Sequence, residues 1–168
     1  QEVIDLALKS VREHYTPHGV SRNASEDEQR KQPGQFTYQK GGGGGTVAMA
    51  AAGVVCLQEL GQYDDWRIAK NMDFIVEQVK RLRAGKNSGQ VPFETYALYY
   101  VGQALYQVSQ TRPNDWRECY PILRDYLVES QIKASGKPQQ DGRWQDGARV
   151  GGKPGELYGT AVACFVLA

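Results

Sequence analysis

The stretch TVAMAAAGVVCLQELG, residues 46–61, predicts a helix that is apolar on every side until its last turn. Thr46 suits the N-cap position, where its hydroxyl can accept a backbone N–H, and Gly61 suits the C-terminal stop. A helix without a polar face has to be buried on all sides. The stretch therefore predicts an inner helix that is covered by an outer layer of helices.

The segment that follows has the pattern of such an outer helix. Asp65 is placed to cap WRIAKNMDFIVEQVKRLRAG, and lysine and arginine fill its last turns, where the helix dipole favours them. Its apolar residues recur on one face: Ile68, Met72, Ile75, Val79 and Leu82. The segment predicts an amphipathic helix with one face in water.

The same pair of patterns returns further along the chain. FETYALYYVGQALYQV predicts a second inner helix, DWRECYPILRDYLVESQ a second outer helix, and GELYGTAVACFVLA a third inner helix. Thr46 and Thr95, and the two Asp-Trp-Arg triplets at 65–67 and 115–117, repeat with a period of about 50 residues. Pro121 predicts a kink or a late start in the second outer helix. Repeated inner and outer helical hairpins predict an all-α fold.

The C-terminal region resembles a known motif. In QQDGRW the matching residues are Gln139 or Gln140, Asp141, Gly142 and Trp144, and the stretch precedes YGTAVACFVLA. This order resembles the QW motif of the squalene–hopene cyclase family, which shares an α/α toroid with protein prenyltransferase β-subunits. The resemblance implies a partial α/α toroid of stacked hairpins, in which Trp144 clamps one repeat to the next.

The family's chemistry depends on residues that have no counterpart in this sequence. Asp64 and Asp65 are followed by Trp66 rather than by the acidic DxDD pattern, and His14 and His18 are the only histidines. We therefore expect no metal, no cofactor and a non-catalytic scaffold or ligand-binding module within a larger protein. The alternative is part of a lyase or terpene-cyclase-like enzyme whose catalytic residues lie outside this segment or in the rim loops.

A ligand site is predicted at the rim where the three inner helices begin. Glycine, aromatic residues and free backbone N–H groups at helix starts favour anionic or carbonyl groups there. The candidate binding residues are Tyr38, Glu94, Tyr96, Trp144, Glu156 and Tyr158. The competing interpretation is structural, with glycines for tight packing and tyrosines at the core edge. A small molecule or a protein is the expected ligand, and Glu94 with Glu156 is a weaker acid–base alternative.

Length and charge limit the remaining possibilities. The 168 residues suffice for one domain. The net charge of +1 gives no overall electrostatic field that would attract nucleic acid, and no apolar run is long enough to span a bilayer.

Residues 16–45 are polar and glycine-rich, so we expect a mobile insertion. Three inner helices cannot close a ring, which predicts half a toroid and either self-association or the rest of the same chain as partner. Cys56 and Cys164 are expected to be buried and unpaired.

Overall fold

The fold is all-α, as the sequence predicts. The structure is a computed structural model that describes residues 1–42, 45–84, 95–133, 136–144 and 155–168. In chain order, its elements are α1 Glu2–Glu13, β1 Tyr15–Pro17, α2 Glu26–Lys31, β2 Gly34–Phe36, α3 Val47–Glu59, α4 Trp66–Ala84, α5 Thr95–Gln107, α6 Pro113–Ser130, a 3₁₀ turn Pro138–Gln140 and α7 Glu156–Leu167. Over the described residues, the only sheet is the two-stranded pairing of β1 with β2.

The chain forms two compact units. The first is Gln1–Glu77 and the second is Gln78–Ala168, so that α4 runs across the boundary. In the first unit, α1 and β2 pack on α3. In the second, α5, α6 and α7 pack on one another. Each unit has its own buried apolar residues, including Val54, Leu57 and Met72 in the first and Leu105 and Leu123 in the second.

The ends of the first inner helix are confirmed. The hydroxyl of Thr46 accepts a hydrogen bond from the backbone N–H of Met49 at 3.2 Å. Gly61 has a φ of 74°, the left-handed conformation that ends helices. The predicted cap of α4 is also present, because Asp65 Oδ1 accepts the backbone N–H of Arg67 at 3.0 Å.

The polar segment before α3 contains secondary structure that the sequence analysis does not predict. The sequence places Ile4, Leu8, Val11 and Tyr15 at spacings of four, three and four, which predicts one apolar stripe on α1. In the structure Tyr15 instead belongs to β1 and pairs with Phe36. Between the strands, α2 begins with a capping box in which Ser25 and Glu28 satisfy each other's backbone N–H groups. The mobility expected for residues 16–45 stays a prediction, and amide hydrogen exchange across α2 tests it.

A close approach of β2 to α3 depends on a glycine. Phe36 is almost completely buried, and its ring lies where a side chain at Gly53 would stand. A Cβ added at Gly53 would be 2.2 Å from Phe36 Cδ2, far inside van der Waals contact. The internal glycine lowers the stability of the helix itself, but it leaves the space in which the aromatic ring packs.

We expect Gly53→Ala to destabilise the first unit by about 2 kcal/mol, although alanine ordinarily favours a helix interior. The matched control is Gly102→Ala in α5, where the added Cβ would be 3.0 Å from Val166 Cγ2 and the smaller conflict offsets the propensity gain. Hydrogen exchange of amides in α3 and α5 measures both free energies. A Gly53→Ala protein as stable as the wild type would contradict the close approach.

The second outer helix departs from its predicted form. α6 begins at Pro113, two residues before the Asp-Trp-Arg triplet, and it continues as one helix through Pro121. Of the two alternatives predicted at Pro121, the late start is wrong, because two turns of helix precede this proline, and the kink stays a prediction. Proline at the first helical position is favourable because its missing N–H has no partner there in any case.

The two Asp-Trp-Arg triplets do not occupy equivalent positions. Trp66 is the first residue of α4 and contacts Tyr15 edge-to-face at 5.1 Å. Trp116 lies one turn inside α6 and stacks on Tyr120 at 4.5 Å. The sequence period is real, but the two tryptophans pack in different ways.

The expectation that two cysteines are buried is wrong. Cys56 and Cys164 are both exposed, because each stands on the face of its apolar helix that no other described element covers. Cys119 on α6 is buried, and burial raises the pKa of its thiol to about 11. All three cysteines are free, which agrees with the prediction that Cys56 and Cys164 are unpaired.

Candidate functional site

An aromatic cleft lies between α5 and α7 in the second unit. It is open to solvent on one side and has a volume of about 350 Å³. Its aromatic lining consists of Tyr96, Tyr99, Tyr100, Tyr158 and Phe165, and small and aliphatic side chains of α7 complete the wall. We refer to it below as the tyrosine cleft.

The 3.6-residue periodicity of the α-helix and the packing of α7 on α5 bring these rings together. Tyr96 and Tyr100 are four residues apart and share a face of α5, with ring centroids 4.9 Å apart. Tyr99 meets Tyr100 edge-to-face at 5.1 Å, and it contacts Phe165 of α7 at 5.0 Å. These separations are within the range of favourable aromatic pairs, so the rings form a continuous surface across the two helices.

The described lining of the cleft is apolar and aromatic. Its side chains are apolar or aromatic, and the tyrosine hydroxyls are the polar groups that they contribute. Among the residues that the structure describes, no Asp, Glu, Lys, Arg or His lines the cleft. Such a surface can bury an apolar or aromatic ligand and orient it by a few hydrogen bonds.

Two of the predicted rim residues lie in this cleft. Tyr96 and Tyr158 line it from opposite helices. Glu156 is exposed and forms an ion pair with Arg143, a contact that holds its carboxylate at the start of α7. Glu94 lies outside the described residues, so its pairing with Glu156 stays a prediction.

Trp144, another predicted rim residue, is held by hydrogen bonds within the second unit. It is buried, and its indole N–H donates to the carbonyl of Leu127 at 2.7 Å. Its backbone N–H donates to the hydroxyl of Thr160 at 3.1 Å. Trp144 thereby joins the end of α6 to the first turns of α7.

Tyr38 belongs to the first unit, where it is 80% exposed. It lies just after β2, in the turn that leads toward the glycine-rich stretch. It is a surface residue of that unit.

Three aromatic residues of the cleft are not among those predicted from the sequence, namely Tyr99, Tyr100 and Phe165. A signal for the first two is present in the sequence TYALYY, because positions three and four beyond Tyr96 lie on its side of a helix. Phe165 carries no such local signal. Its place in the cleft depends on the packing of α7 against α5.

Two further searches bear on the kind of site. The described residues contain no cluster of three or more histidine, cysteine, aspartate or glutamate side chains that could hold a metal ion. Of the helices in the part of the chain that the structure describes, none is long and apolar enough to cross a membrane.

Comparison with known proteins gives no relative. Neither protein-family models, nor curated proteins, nor solved structures match the chain. The tyrosine cleft and the side-chain contacts around it are thus the basis for a functional proposal.

Proposed function

We propose that this chain is a non-catalytic ligand-binding module of the α/α toroid type, with the tyrosine cleft as its binding site. The observation that carries the proposal is the convergence of five aromatic rings on one cleft whose described lining residues include no charged side chain. A reaction that moves protons needs a positioned acid or base, and among the described lining residues the tyrosine hydroxyls are the only groups that could serve.

The size and the lining of the cleft favour an apolar ligand. A volume of about 350 Å³ falls at the lower end of ordinary small-molecule sites. Phe165 and Tyr96 are both substantially exposed, so a ligand that covers them removes apolar surface from water. Each Å² of apolar surface that a ligand covers contributes about 25 cal/mol to the binding free energy. This contribution favours a branched or linear hydrocarbon chain with a small polar end.

The contacts of Trp144 support the toroid part of the proposal. The QW-like motif precedes α7 in the sequence, and its tryptophan donates hydrogen bonds to α6 and to α7, the helix that forms one wall of the cleft. In this arrangement the motif holds a binding surface in place and makes no contact with ligand. Self-association through open helix faces stays a prediction that light scattering tests.

The test is a titration with farnesol, an isoprenoid alcohol, followed by tyrosine fluorescence. We expect saturable binding that Phe165→Ala weakens about tenfold, a loss of ~1.4 kcal/mol that corresponds to the buried area of one ring edge. Tyr106→Ala is the matched control, because Tyr106 is also on α5 and exposed but lies outside the cleft.

Equal effects of Phe165→Ala and Tyr106→Ala would place any binding elsewhere and refute the proposal. Farnesol that fails to saturate the wild-type chain would also count against it. Turnover of a polyprenyl substrate by the chain would instead support the catalytic alternative.

A further inference from the structure

A second polar and aromatic site surrounds Trp66 in the first unit, Gln1–Glu77. The indole N–H of Trp66 donates to a carboxylate oxygen of Glu26 at 2.6 Å. The guanidinium carbon of Arg67 lies 4.5 Å from the centroid of the Trp66 ring, and its Nη1 lies 3.5 Å from the same Glu26 oxygen. One carboxylate is thus held by an indole N–H and a guanidinium group.

The helix that supplies this carboxylate is weakly anchored. α2 spans only Glu26–Lys31 and none of its residues is buried. Its contacts with Trp66 are the Glu26 hydrogen bond and the Arg30 guanidinium, which lies 5.8 Å from the ring centroid. A short helix that is held by exposed polar contacts belongs to the part of a protein that opens most easily.

When Glu26 is left out of the count, the charged side chains next to Trp66 carry an excess of positive charge. Asp65 is bound by Arg12 Nε at 3.1 Å and by Arg67 Nη1 at 3.0 Å, so one carboxylate faces two guanidinium groups. Arg67 is only 8% exposed, and its Nε is buried without a hydrogen-bond partner. A buried cationic donor that is left unsatisfied favours any anion that can reach it.

We propose that Glu26 is an internal substitute for the carboxylate of a ligand, and that Trp66 and Arg67 form a carboxylate-binding site that α2 covers. The ligand displaces Glu26, accepts the indole N–H and neutralises the excess charge on Arg67. α2 then leaves the face of Trp66 as a unit, because its remaining contact with the ring, from Arg30, moves with it. The site is distinct from the tyrosine cleft, so it does not depend on the function proposed there.

The experiment follows the three tryptophan indole N–H resonances by NMR during titration with glutarate, a free analogue of the glutamate side chain. The indole resonance that is absent from the spectrum of Trp66→Phe is assigned to Trp66. In Glu26→Gln, the internal carboxylate is gone, and we expect the Trp66 resonance to shift at the start and to move saturably with glutarate. The wild type should need at least about tenfold more glutarate, because Glu26 competes for the site.

Glu28→Gln is the matched control, since it makes the same charge change on α2 but its carboxylate binds Ser25 and not Trp66. It should titrate like the wild type. Glutaramide and sodium chloride at matched ionic strength should leave the Trp66 resonance of Glu26→Gln in place.

Unchanged resonances of Trp116 and Trp144 show that the second unit stays folded in each variant. The proposal is overturned if glutarate does not move the Trp66 resonance in Glu26→Gln. It is equally overturned if Glu26→Gln and Glu28→Gln respond to glutarate with the same affinity.

Discussion

Replacing Asp65 by asparagine is expected to lower the free energy of unfolding of the first unit by about 3 kcal/mol. The carboxylate of Asp65 is only 3% exposed, and it accepts hydrogen bonds from Arg12 and from both the side chain and the backbone of Arg67. Asparagine has almost the same shape but no charge. The guanidinium of Arg67, which is itself largely buried, would then lose its main counter-ion.

The repeat in the sequence supplies the control for this prediction. Asp115 occupies the matching place in the second Asp-Trp-Arg triplet, but its partner is Arg112 at the N-cap of α6, an i,i+3 pair at a more accessible position. Asp115→Asn should therefore cost less than about 1 kcal/mol. Hydrogen exchange of Val54 and Leu57 amides in α3 reports the first change, and that of Leu123 in α6 reports the second.

Similar costs for the two variants would contradict this interpretation, because they would mean that the triplets are structurally equivalent. A large loss for Asp65→Asn alone would show that the carboxylate is a central link between α1 and the start of α4. The same variant also leaves Trp66 in place, so its indole resonance gives an independent check that the first unit is folded.

The helices could be predicted from the sequence where the signal is local. Thr46, Gly61 and Asp65 mark helix ends through contacts within a few residues, and all three have the predicted roles. The apolar pattern of residues 46–61 is long enough to exclude a strand. These signals depend on helix geometry alone, which the sequence contains in full.

The β1–β2 pairing could not be predicted in the same way. Each strand has only three residues, and the partners Tyr15 and Phe36 are separated by a polar segment that includes α2. Tyr15 continues the spacing of the α1 stripe, so the local pattern favours a helix. Burial of Phe36 against Gly53 decides against it, and that contact is tertiary.

The candidate site was predicted in part for a related reason. Tyr96 and Tyr158 were proposed from their positions near helix starts, and both line the cleft. Trp144 was grouped with them, but its position is determined by partners on α6 and α7 that only packing brings together. A ring in a loop can face either a cleft or the core, and the sequence does not distinguish the two.

The contacts of Trp144 make it the residue of the second unit whose loss should matter most. Leu127 lies in the last turn of α6, where backbone carbonyls have no partner within the helix. The Trp144 indole N–H and the Ser130 hydroxyl, at 2.7 Å and 3.0 Å, both donate to this carbonyl. The backbone of Trp144 meanwhile donates to Thr160 on α7.

We expect Trp144→Ala to cost about 3–5 kcal/mol, because it leaves a large cavity where the indole was buried. Trp144→Phe should cost about 1–2 kcal/mol, since it keeps part of the packing and removes one donor while Ser130 still serves the Leu127 carbonyl. Trp116→Ala is the control: this tryptophan is half-buried and stacks on Tyr120, so its loss should cost about 1 kcal/mol. Urea unfolding combined with hydrogen exchange of α6 and α7 measures the three values. Farnesol affinity should fall with Trp144→Ala and be nearly kept with Trp144→Phe, because α7 forms a wall of the tyrosine cleft.

If Trp144→Ala costs no more than Trp116→Ala, Trp144 does not hold α7 against α6, and the structural role assigned to the QW-like motif is wrong.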